Sequence, residues 1–166
     1  MKQYLDKVED IINKEIKAYG VLEELLQEKT DIIMKSDMDG LEYIDSKIVE
    51  QTTSVANLVR ARQNQCIYIE RIDLTFSEIV NKAFEVDQIQ GQRLEEKRNC
   101  MGELINKVKH QNNINAKLIQ NSLTIMNRTV DFVLKMIAPE LDSYNQRGQM
   151  NKLNDNYKIS SIEQEA

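Results

Sequence analysis

Between Met101 and Met136 the chain carries a line of alternating four- and three-residue steps: Met101, Ile105, Val108, Asn112, Asn115, Ile119, Ser122, Met126, Thr129, Val133 and Met136. That period belongs to one face of an α-helix. Leu94, Leu104, Leu118, Ile125 and Phe132 widen the face on one side, which suits a helix touching two neighbours. Pro139 stops the pattern, because it lacks an amide hydrogen and disfavours α backbone at Ala138. The spacing predicts a helix over residues 92–138, about 70 Å long at 1.5 Å per residue.

Three further helices are predicted ahead of it. Over residues 2–34, Leu5, Val8, Ile12, Ile16, Tyr19, Leu22, Leu26 and Ile33 form a stripe, and Gly20 interrupts it at a cost of about 1 kcal/mol relative to Ala. Ser36 with Asp39 resembles a capping box that opens a helix over residues 36–72. Its seam is Leu41, Ile44, Ile48, Gln51, Val55, Leu58 and Arg62, with polar positions at Gln51 and Arg62. A connection as short as residues 35–37 makes the first two helices antiparallel neighbours. Thr75 with Glu78 is a capping box, and Leu74 with Ile79 stand at the positions of a hydrophobic staple, so a short helix is expected over residues 76–86. The apolar pattern then thins towards Gly91.

The expected fold is all-α: an elongated antiparallel bundle of long, coiled-coil-like helices forming one domain over residues 1–138. Residues 139–166 read as a flexible tail. They carry Leu141, Tyr144, Met150, Leu153, Tyr157, Ile159 and Ile162 among many polar residues, too few for an independent core. Composition agrees, with 5% aromatic residues, no Trp, one Pro and five Gly in 166 residues.

Several function classes find no support. A net charge of −5 without a basic run argues against a nucleic-acid surface. No run of 18 apolar residues exists, so no membrane insertion is expected. The opening MKQYLDKVEDIINKE is charged throughout and is not a secretory signal, which makes the cytoplasm the expected compartment. Cys66 and Cys100 lack CxxC spacing and read as reduced thiols. The single histidine, His110, has Lys107 three residues before it, so the Glu-x-x-His pair of bundle metal sites is missing. Neither a nucleophile motif nor a phosphate-binding loop occurs. No enzyme activity, cofactor or metal is expected. A helical bundle without site chemistry works by binding helices or peptides along a groove.

The amides of the long helix need their own account. Asn112, Asn115 and Ser122 fall on the seam, whereas Asn113 points away from it. A polar layer of this kind fixes the register of packed helices.

The same block carries a resemblance. Asn112-x-x-Asn115-x-x-Leu118-Ile119-x-x-Ser122-Leu123, followed by Tyr144-x-x-x-Gly148, resembles the C-terminal pattern of the FlgN family of flagellar export chaperones. Leu22-x-x-Leu25-Leu26 with Lys29 resembles the family's first helix, and Asp39-Gly40-Leu41-Glu42 the start of its second. Arg60-Ala61-Arg62 and Leu74-Thr75-Phe76-Ser77-Glu78-Ile79 follow in the family's order, with Phe76 where Leu is usual. The match runs from about residue 5 to residue 148.

The resemblance implies a small cytoplasmic helical chaperone, a monomer or small dimer. It would hold the hook–filament junction (hook-associated) proteins as cargo before export through the flagellar type III apparatus. It also implies that the C-terminal part meets the cargo. On that basis Leu118, Ile119, Leu123, Ile125, Met126, Phe132, Val133 and Met136 serve either the cargo face or the core beneath it. Tyr144 lies past the helix stop and is a contact candidate, and the tail would order on cargo or on the export gate. The alternative reading is a scaffolding coiled coil that self-associates through the same stripes and has no export client.

Overall fold

The computed structural model describes residues 2–70 and 74–137. Four helices account for nearly all of them: α1 (Lys2–Lys35), α2 (Met38–Glu70), α3 (Phe76–Val86) and α4 (Gln88–Ile137). The chain divides into two compact units, Met1–Asn121 and Ser122–Ala166, and the division falls inside α4.

In the first unit α1 is the central element. Its contacts with α2 pair Lys29 with Asp45 (2.6 Å), Ala18 with Gln51 and Glu15 with Arg62, so the numbering falls on one helix as it rises on the other. The two are antiparallel. With α4 the numbering rises on both: Asp6 meets Gln90, Glu9 meets Arg93 and Leu26 meets Asn115. α1 and α4 therefore run parallel, offset by 81 to 89 residues. The short α3 makes this possible: it begins beside Arg62, where Phe76 lies, and brings the chain back to the α1 N-terminus, where Asp87 pairs with Lys2.

Each chain reversal has a local cause. Ser36 adopts φ 57°, its N–H donates to Ile33 O (3.0 Å), and Asp37 N–H donates to Ile32 O (3.3 Å). That pair of bonds is a Schellman closure of α1. Asp37 then accepts the Gly40 N–H at Oδ1 (3.0 Å) and caps α2. The expected Ser36–Asp39 box is thus replaced: Ser36 ends one helix and its neighbour starts the next. At α3 the Thr75–Glu78 capping box is complete. Thr75 N–H donates to Glu78 Oε2 (2.7 Å), and Glu78 N–H donates to Thr75 Oγ1 (3.3 Å). Leu74 and Ile79 are both buried beside it. Asp87 ends α3 and opens α4, accepting the Ile89 N–H (2.9 Å) and an ammonium hydrogen from Lys2 (2.8 Å). Helix α4 so starts at Gln88 rather than near residue 92. Gly91 lies within it because the Phe84 ring packs on its Cα; a Cβ there would sit 2.4 Å from Phe84 Cδ1.

The core gathers where α1, α3 and α4 begin. Leu5, Val8, Ile12, Cys66, Leu74, Ile79, Val80, Ala83, Leu94 and Met101 are its buried members. Burying one such side chain contributes about 1.5–3 kcal/mol. Further along, Leu22, Leu26, Ile44 and Val55 continue the α1–α2 seam.

Candidate functional site

The long helix α4 has two chemically different stretches. The first holds a buried polar layer against α1. Asn115 is 2% exposed. Its Nδ2 donates to Leu26 O (2.8 Å), and its Oδ1 accepts from Thr30 Oγ1 (2.6 Å). Gln111 Nε2 donates to the same Thr30 hydroxyl (2.6 Å). Every polar atom of the Asn115 amide that faces α1 is thereby matched, as a buried amide requires. Asn112 and Ser122, expected to share this layer, are exposed instead. The line of buried and half-buried residues runs Ile105, Val108, Gln111, Asn115 and Leu118, and its two successive steps of three turn it away from Asn112. Gln111 takes the inner place.

A second buried polar contact was not legible beforehand. Glu15, 1% exposed, accepts from Arg62 Nε at 2.8 Å, and the guanidinium carbon lies 5.6 Å from the Phe76 ring centre. Burial pushes the Glu15 carboxyl above its ordinary range, and attraction to Arg62 offsets part of that rise. The one signal in the sequence was Arg62 itself, a cation on the α2 seam that needed an anion. Glu9 shows the opposite balance. Burial alone would raise it, but hydrogen bonds from Arg93 and Lys97 prevail and hold it below the usual carboxylate range.

The second stretch of α4 buries none of its side chains from Ser122 to Met136. Leu123, Ile125, Met126, Val130, Phe132, Val133, Leu134 and Met136 are 43–65% exposed. Six of these were anticipated as cargo-face or core residues, and the structure places all six on the surface. Leu118 and Ile119, anticipated with them, are half-buried in the first unit. Val130 and Leu134 were missed, since both lie off the four–three line. Tyr144 and the whole expected tail lie outside the described residues, as does the expected stop at Pro139.

Among the described residues no group of three or more His, Cys, Asp or Glu side chains gathers to hold a metal ion. His110 is exposed; Cys66 is buried, Cys100 is exposed, and neither forms a disulfide. Among the described residues no helix is long and apolar enough to cross a membrane.

Among the described residues the fold is all-α, and its last helix carries an exposed apolar stretch. The chain belongs to the FlgN family: the family model described as FlgN protein matches residues 1–152. Proteins of this family are flagellar export chaperones that bind hook-associated proteins, and theirs is a chaperone family rather than an enzyme family. Searches of curated proteins and of solved structures found no match.

Proposed function

We propose that this chaperone holds the hook–filament junction proteins in the cytoplasm, in a state ready for the flagellar type III export apparatus, and that the client docks on α4 between Leu123 and Met136. The observation that carries this reading is the exposure of eight large apolar side chains along fourteen residues of continuous helix. An amphipathic client helix gains affinity by covering them, in the way grooves and helices recognise one another. Met126 and Met136 suit such a surface because thioether side chains repack readily. In this reading Asn115 fixes the register of α4 on α1, and Tyr144 adds a contact past the helix.

Coexpression with each junction protein, followed by size-exclusion chromatography, tests it. A complex of defined size with at least one of them is expected, with the free chaperone eluting as a monomer or small dimer. No complex with either, together with long homo-oligomers, would favour the scaffolding alternative.

A further inference from the structure

Wound at 3.6 residues per turn, the exposed apolar side chains of residues 123–136 cover an arc of about 200°. One edge is Leu134, Leu123 and Val130; the centre is Met126 and Val133; the other edge is Met136, Ile125 and Phe132. The stripe that one partner helix covers is about 100° wide. Two partners are therefore needed, and the edges differ in charge. Arg128 borders the Phe132 edge, whereas Asp131 borders the Leu134 edge.

One partner is tethered to the site. Residues 138–166 follow directly on this stretch, and Pro139 cannot continue the helical ladder. Met150, Leu153 and Tyr157 stand at helical spacing, after Leu141 and Tyr144. The segment carries five carboxylates against three cations, a balance that favours the edge bordered by Arg128. As a helix it would reach about 40 Å, against about 20 Å for the edge it must cover. A short tether gives an effective concentration on the order of millimolar, so a modest contact suffices.

We infer that residues 139–166 dock along the Ile125–Phe132–Met136 edge of α4 and leave the Leu123–Val130–Leu134 edge to a client helix. The client half rests on the chaperone reading; the tail half stands without it.

Limited trypsin digestion of the full chain tests both halves, because Arg147, Lys152 and Lys158 put cleavage sites within the tail. A synthetic peptide of residues 139–166 supplies the unprotected rate. Cleavage in the full chain should be at least tenfold slower than in the peptide, in proportion to the open population. Phe132→Asp should restore the peptide rate. Val130→Asp should keep the protection and weaken junction-protein binding at least tenfold. Both positions are exposed, so helix content by circular dichroism should not change. Cleavage of the wild-type chain at the peptide rate, or equal loss of protection in both variants, overturns the docking. Wild-type chain that binds neither junction protein overturns the client half and the chaperone reading, while the protection result still decides the tail half.

Discussion

Asn115 and Leu26 are joined by a 2.8 Å hydrogen bond from a side-chain amide on α4 to a backbone carbonyl on α1. The bond ties two parallel helices at one level. Sliding α4 by a turn would leave a buried amide without partners, at about 1–3 kcal/mol. Asn115→Ala should therefore lower stability by about 1–3 kcal/mol in urea denaturation. Asn112→Ala, at an exposed position, should change it by less than about 0.5 kcal/mol. Equal effects at the two positions would mean that burial of the amide does not set the cost.

The Glu15–Arg62 pair should behave as a buried ion pair does. Arg62→Met strands a carboxylate that is 1% exposed and should cost about 3–5 kcal/mol at pH 7. The sign of its pH dependence follows from linkage. The folded-state pKa of Glu15 already lies above the ordinary value, and losing Arg62 raises it further. The penalty is then absent below the ordinary carboxylate range and grows as pH rises through the folded pKa. Denaturation at pH 4 should accordingly show a smaller loss than at pH 7. The double variant Glu15→Leu, Arg62→Met should recover most of the stability, because an apolar pair of similar volume needs no desolvation of charge.

These residues also show what the sequence could convey. Helical period identified the all-α fold and the core stripes, since burial of one face repeats at the turn of the helix. It did not find Glu15, because the neighbouring Ile16 satisfies the same stripe while the carboxylate takes the buried position beside it. Nor did it separate Asn112 from Asn115, because one three-residue step decides which of them faces α1. At Ser36 the local pattern read as a cap for the wrong helix; only the backbone bonds to Ile32 and Ile33 show which helix it serves. From Leu123 onwards the period records a helix with an apolar face but carries no information on whether anything covers that face. Six of the eight exposed apolar residues were therefore legible in the sequence, whereas Val130, Leu134 and the exposure itself were not.

Glu9 yields a prediction of opposite sign. Arg93 and Lys97 hold its folded-state pKa below the ordinary value, so its contribution is present above the ordinary carboxylate range and is lost as pH falls through the folded pKa. Arg93 is half exposed, which keeps the contribution within about 1 kcal/mol. Glu9→Gln should be less stable than the wild type at pH 7, and the two should converge near pH 3. A difference that persists unchanged into acid would assign the effect to packing of the side chain rather than to its charge.

The glycines offer a contrast that tests the path of the chain between α3 and α4. A Cβ on Gly20 meets nothing within 4 Å, so Gly20→Ala should raise stability by about 0.5–1 kcal/mol through helix propensity alone. At Gly91 the same gain competes with the Phe84 ring, whose Cδ1, Cγ and Cε1 would all lie within 2.8 Å of the new carbon. Overpacking of this kind costs about 1–3 kcal/mol, so the sum should be a net loss. Phe84 itself packs on the core formed by Leu5, Ile79 and Leu94, which limits how far its ring can move aside. Gly91→Ala in a Phe84→Leu background should lose less than in the wild-type background, since the shortened side chain frees the space. Thermal denaturation of the four proteins gives the coupling between the two positions directly. A coupling near zero would mean that the ring does not lie on Gly91 in solution, and that the α3–α4 junction turns elsewhere.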